Sequence, residues 1–170
     1  MPTIQLQTVF KRSDPLLSFR WKVQDVPFGQ KYGIGPEYVE TFEIPFNNVK
    51  AENVFRGGGF VYFPGFHDVS AFNVTFYGDC DGQVLAWLMH WKSRVKNFNN
   101  GIYSLPGNYK MPWTVDLLDP AGGVAITIVL EGRWPADTAN ISLDSDSSTR
   151  LTFNQDFSVD NCKVLGAEQK

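Results

Sequence analysis

Apolar and polar residues alternate along most of this chain, and that period of two favours strands over helices. Phe72, Val74 and Phe76 alternate with Asn73, Thr75 and Tyr77, so a strand here buries one face and wets the other. Val124, Ile126, Ile128 and Leu130 share one side of another run, with Ala125, Thr127, Val129 and Glu131 on the other. Leu151, Phe153, Phe157 and Val159 stand opposite Thr152, Asn154, Asp156 and Ser158. Trp113, Val115 and Leu117 alternate too, and residues 17–23 and 38–46 are further candidates. Asp119-Pro120-Ala121-Gly122-Gly123 is a turn with a mechanism, since proline presets φ and glycine permits positive φ. Residues 113–134 are therefore expected to form a hairpin.

One stretch departs from this pattern. Between residues 83 and 97, Val84, Trp87, Leu88, Trp91 and Val95 recur at helical spacing and form a single apolar stripe. Asp79 or Asp81 can cap its start, while Lys92, Arg94 and Lys96 fall where cations suit the end of a helix dipole. Asn97-Phe98-Asn99-Asn100-Gly101 ends it. A lone helix among many strands predicts a mainly β fold: a β-sandwich or partial barrel with one flanking α-helix. At 170 residues the chain suits one domain, residues 1–170, with a real core. Two segments lack regular periodicity. Residues 25–36 are rich in Gly and Pro and carry exposed-looking aromatics, and Gly57-Gly58-Gly59 interrupts the approach to a strand at 60–63.

Charge and chemistry narrow the function. A net charge of −3 and a pI near 5.3 argue against a module that holds DNA by neutralising phosphates. Met1–Gln7 has no basic start, so no signal peptide is expected. No apolar run reaches the roughly 20 residues that span a bilayer. The two cysteines, Cys80 and Cys162, lack metal or redox spacing and read as buried thiols. His67 and Asp68 are adjacent, so in an extended segment they point to opposite faces and do not make a triad with Ser70. His90 has no ligand partner at helical spacing. Asp144, Asp146 and Ser148 lack the glycine and closing glutamate of a calcium loop. Neither catalysis, nor a metal, nor a cofactor is expected. The aromatic residues allow a sugar- or peptide-binding β-sandwich as an alternative, but Phe dominates at 14 residues and falls mostly at inward positions.

Glu131-Gly132-Arg133-Trp134-Pro135 closes one strand, and Asn140-Ile141-Ser142-Leu143-Asp144 opens the next. This Gly132, Trp134, Pro135 and Leu143-Asp144 hairpin resembles the C-terminal hairpin of tail tube proteins from contractile-tailed bacteriophages. The resemblance runs through the chain: a first strand at 18–24, Ile44-Pro45 in the second, then Phe72–Phe76 leading directly into the helix with Trp91. Residues 1–15 correspond to an N-terminal arm and 161–170 to a C-terminal tail. Ser145 stands where the family commonly has an aromatic, and residues 25–36 match it poorly.

The resemblance implies a structural protein of the virion rather than an enzyme. It implies hexameric rings stacked into a tube inside a contractile sheath, assembled in the host cytoplasm, with sheath, baseplate and tape-measure proteins as partners. DNA would pass without specific binding, since a mildly acidic lumen repels phosphate, and no part would insert in a membrane. A type VI secretion tube, or that of a related injection machine, is the near alternative. Phe10, Phe28 and Tyr32, in segments without periodicity, are expected to contact the next ring.

Overall fold

In a computed structural model, residues 16–138, 141, 143, 146 and 149–166 are described. They form strands β1 (Trp21–Val23), β2 (Val39–Phe42), β3 (Asn47–Arg56), β4 (Gly59–Val69), β5 (Phe72–Tyr77), β6 (Met111–Leu118), β7 (Val124–Thr138), β8 (Thr152–Ser158) and β9 (Asn161–Gly166), with one helix, α1 (Gln83–Val95). β3 and β4 pair only with each other; the rest form a seven-stranded antiparallel sheet in the order β1-β6-β7-β8-β5-β2, with β9 also on β7. The sheet curls until its two end strands approach, with the rings of Trp21 and Phe42 6.3 Å apart. The result is an open barrel with one flanking helix, the class anticipated from the alternation.

β7 is the spine. Its first part pairs with β6 and β9, and its last part pairs with β8. Trp134 lies opposite Ser158 and Glu131 opposite Asn161, so β8 and β9 run in line along β7 and both bend at one corner. Gly132 makes that corner. Its φ is +68°, the register against β6 slips there, and a bulge of this kind bends a strand and increases its twist. A Cβ at Gly132 would run into the Asp160 carboxylate, which Lys110 Nζ holds at 2.7 Å. The Gly-Arg-Trp-Pro sequence is thus a corner device. Glycine turns the strand, Arg133 enters the core at 0% exposure, Trp134 meets Tyr109 edge-on at 6.1 Å, and Pro135 sits buried opposite Phe157. Leu143 is 81% exposed; Asp144, like Phe10, lies outside the described residues.

The helix packs inside this bend. Val84, Trp87, Leu88 and Trp91 are buried, and Val95, at the last turn, is half-buried. The Asp79 carboxylate accepts the N–H groups of Gln83 and Val84 at 3.0 and 3.3 Å, satisfying donors that a helix start leaves open. Buried indoles also need acceptors. Trp87 Nε1 donates to the Pro27 carbonyl at 2.8 Å and Trp91 Nε1 to that of Tyr109 at 2.9 Å, which ties the helix to the loops on either side.

Four expectations change. Gly57-Gly58 does not interrupt a strand but joins two long ones, the first of which, β3, carries no clean alternation. Residues 161–166 are strand β9 rather than a tail. Residues 25–36 contain a short 3-10 turn at Gln30–Tyr32 and run into a second at Pro36–Tyr38, and Phe28 and Tyr32 pack inward against the core. Cys80 is exposed; Cys162 is buried, as expected, and both are free thiols.

Candidate assembly surface

The β3–β4 hairpin stands away from the barrel with almost every residue exposed. Arg56 pairs with Gly59 across a two-residue turn in which Gly57 and Gly58 have φ of +59° and +88°. Two positive φ values are what a tight turn matched to strand twist demands. The arms are long because cross-strand pairs continue to Asn47↔Val69, with one irregularity between Val49 and Ala51, close to Pro64, which has no ladder donor.

Apolar side chains stand on both faces of this hairpin, joined on the reverse face by Glu52 and Arg56. Phe55 and Phe60 lie opposite each other with rings 5.5 Å apart, and Tyr62 shares their face. Val54 lies opposite Val61, and Phe63 opposite Glu52, on the reverse face. Phe55, Phe60 and Tyr62 are 64%, 62% and 69% exposed. A two-stranded hairpin with nothing packed on it is marginal in water, and contiguous exposed apolar surface marks an interaction site. At its root the Asn47 side chain pairs with β9. Its Oδ1 accepts the Cys162 N–H at 3.0 Å and its Nδ2 donates to the Cys162 carbonyl at 2.8 Å. The amide thus mimics a strand and anchors the hairpin to the sheet edge.

Phe28 and Tyr32 are placed differently from what a free contact loop requires. Phe28 meets Trp91 edge-on at 5.5 Å, and Tyr32 lies 5.5 Å from His90. The Arg94 guanidinium covers Phe28 at 4.7 Å. Both aromatics are half-buried on α1, so the loop is fixed within the subunit. Burial, and then the positive charges of Lys31 and Arg94, hold the His90 imidazole below its ordinary pKa.

His67 and Asp68 sit on β4 rather than in a loop, and Asp68 is engaged by Lys50 at 2.9 Å. That hydrogen bond and charge lower its pKa. Glu131 is likewise lowered by its hydrogen bonds to Lys163 and Asn161. Among the described residues, no three His, Cys, Asp or Glu side chains gather as metal ligands do. Among the described residues, no helix is long and apolar enough to cross a membrane.

Sequence comparison finds neither a matching family model nor a matching curated protein. Solved structures do match. A chain of the cryo-EM structure of the anti-feeding prophage cap, the tube-terminating cap, aligns with a TM-score of 0.66 at 16% identity, over 92% of this chain and 94% of that one. A chain of the anti-feeding prophage baseplate aligns at 0.68 and 12% identity, over 92% and 99%. A chain from the sheath/tube terminator of an extracellular contractile injection system aligns at 0.63 and 16% identity, over 91% and 99%. This open barrel with its single helix is therefore a tail-tube-related fold, the fold found in particles of contractile injection systems.

Proposed function

We propose that this chain is a structural subunit of a contractile particle and works by joining copies of itself. Subunits associate into hexameric rings, the rings stack into a hollow tube, and sheath, baseplate and tape-measure proteins complete the particle. The β3–β4 hairpin is the single observation that carries this reading. It leaves the barrel and presents the exposed aromatics Phe55, Phe60 and Tyr62 together on one face, and aromatic residues are enriched at interfaces. Phe28 and Tyr32 are half-buried against α1, whereas the hairpin side chains are exposed, so the hairpin offers the larger surface to another copy.

Two settings suit such a tube: a phage tail that delivers DNA, and an injection device. Structures of similar fold come from the anti-feeding prophage and an extracellular contractile injection system, which favours the injection device. The net charge of −3 keeps an anionic cargo from sticking in either case.

Sedimentation of the purified chain tests the joining role. The wild type is expected to form concentration-dependent assemblies, and Phe55→Ser/Phe60→Ser is expected to remain a folded monomer. Equal assembly by both would remove the hairpin from the interface. A monomeric wild type that instead retained glycans on an array through Tyr62 would favour the sugar-binding alternative.

A further inference from the structure

We propose that the turn following α1, residues 98–105, is the surface that receives the β3–β4 hairpin of a second copy. This inference rests on the assembly reading and supplies the half of the contact which that reading leaves open. Repeated head-to-tail association joins two different patches of the same chain. A hairpin leaving one copy therefore needs a complementary acceptor on the next.

Phe98, Ile102, Tyr103 and Leu105 are 61%, 64%, 68% and 76% exposed, so large apolar side chains gather in one short segment and face water. The turn that carries them is held by its own hydrogen bonds. The Asn97 N–H donates to the Ile102 carbonyl at 2.9 Å, the Gly101 N–H to the Asn97 carbonyl at 2.8 Å, and the Ser104 N–H to the Val95 carbonyl at 3.0 Å. The Asn100 side chain accepts the Ile102 N–H at 3.0 Å, and Gly101 has a φ of +73°, which a side chain would strain. The apolar groups are thus held in place before a partner arrives, and such pre-organisation reduces the ordering cost of binding. Contiguous exposed apolar surface marks an interaction site.

Charge selects the occupant. Residues 92–110 hold Lys92, Arg94, Lys96 and Lys110 but no Asp or Glu. Lys110 is paired with Asp160, whereas Lys96 Nζ lies 4.8 Å over the Tyr103 ring. Two such turns placed face to face would set like charges together, so the turn does not dock on its own copy. The aromatic face of the hairpin suits it better. Ala51 and Pro64, Asn53 and Tyr62, and Phe55 and Phe60 are the cross-strand pairs on that face, and none is charged. No buried charge is left unpaired when this face covers the turn, and its rings can accept a neighbouring cation such as Lys96. The sizes also match. At roughly 200 Å² for a large side chain, the hairpin aromatics expose about 400 Å² and the turn about 500 Å². Joined, they approach the roughly 1,000 Å² that a specific contact requires, before any flanking backbone is counted.

Complementation in sedimentation velocity tests this with the full chain. The hairpin variant Phe55→Ser/Phe60→Ser keeps an intact turn, and the turn variant Phe98→Ser/Ile102→Ser keeps an intact hairpin. Each alone is expected to sediment as a monomer. Mixed in equal amounts they are expected to form a dimer and nothing larger, because only one of the two possible contacts survives. A turn variant that assembles like the wild type, or a mixture that stays monomeric, would overturn the proposal while leaving the hairpin as an interface. A hairpin variant that assembles like the wild type would overturn the assembly reading as well, so the two failures are distinguishable. Should the turn variant fail to fold, cysteine trapping supplies the second arm. Tyr62→Cys and Ile102→Cys chains, each in a Cys80→Ser background that removes the exposed native thiol, are mixed and mildly oxidised. Disulfides between the two different variants are expected to exceed like-with-like disulfides several-fold; equal or lower yield would overturn the proposal.

Discussion

Arg133 is the residue that most departs from ordinary core chemistry. Its guanidinium lies 3.1 Å from the ring centroid of Trp113, 4.6 Å from that of Phe157 and 4.7 Å from that of Trp91. None of its three nitrogens has a hydrogen-bond partner among the described residues. Burial alone pushes its pKa well below the ordinary value. Desolvating such a cation costs several kcal/mol, and each desolvated cation–π contact returns about 2 kcal/mol. Three contacts therefore roughly offset the penalty, leaving the long side chain mainly as filling. Arg133→Met should change unfolding free energy by less than about 2 kcal/mol, whereas Arg133→Ala, which opens a cavity among three rings, should cost about 2–5 kcal/mol. Denaturant titration of both variants checks this; equal losses would show that the charge itself matters. His90 gives a pH dependence. Its folded pKa lies below the ordinary value, so the unfolded chain binds more protons in acid. Its stabilisation is complete above about pH 6.5 and is lost as pH falls through the folded value. His90→Gln should flatten that part of the stability profile, with the imidazole shift in NMR titration as the direct check. Sequence reading placed Arg133 only inside a motif. Alternation from Ile128 and Leu130 puts Arg133 on the outward face with Glu131; the register slip at Gly132 turns it inward, and its aromatic surroundings come from strands far apart in sequence.

Regular elements divide by how plainly their physics is written locally. The helix was legible because its stripe and Asp79 cap lie within a few turns, and Trp91 at 0% exposure marks the centre of its buried side. Trp91→Ala should cost roughly 3–5 kcal/mol and yield insoluble or unfolded protein; an unchanged melting temperature would place this face outside the core. β5, β6, β7 and β8 were legible for the same reason, since each buries one face against the barrel. β3 was not, because alternation arises only when a sheet has one wet face and one dry face. Asn47–Arg56 faces no core, so its sequence Asn-Asn-Val-Lys-Ala-Glu-Asn-Val-Phe-Arg carries no such record. The candidate interface was missed for this reason, and Phe28 and Tyr32 drew attention instead. Their fixing contacts, Trp91 and His90, lie far along the chain and could not be read from loop composition. β9 was obscured by Val159-Asp160, which reads as an end but is the outer half of the Gly132 corner.

The molecule as a whole combines a closed interior with an unfinished exterior. Trp87, Trp91, Trp113, Phe76 and Phe157 are each no more than 1% exposed, so the barrel holds its own core, while the hairpin carries exposed apolar side chains on both faces, with no other described element packed against them. In the proposed assembly such a subunit would fold first and associate afterwards, since surfaces that stay apolar in water cost solubility until they are covered. A repeated heterologous contact that closes gives a ring, and one that does not gives a filament; a stacked tube uses both. Negative-stain electron microscopy of the concentrated wild-type chain tests this most directly. Six-fold rings, alone or stacked into tubes, are the expected result, and Phe55→Ser/Phe60→Ser at the same concentration should give none. A field of isolated monomers from folded wild-type protein at every concentration would contradict it.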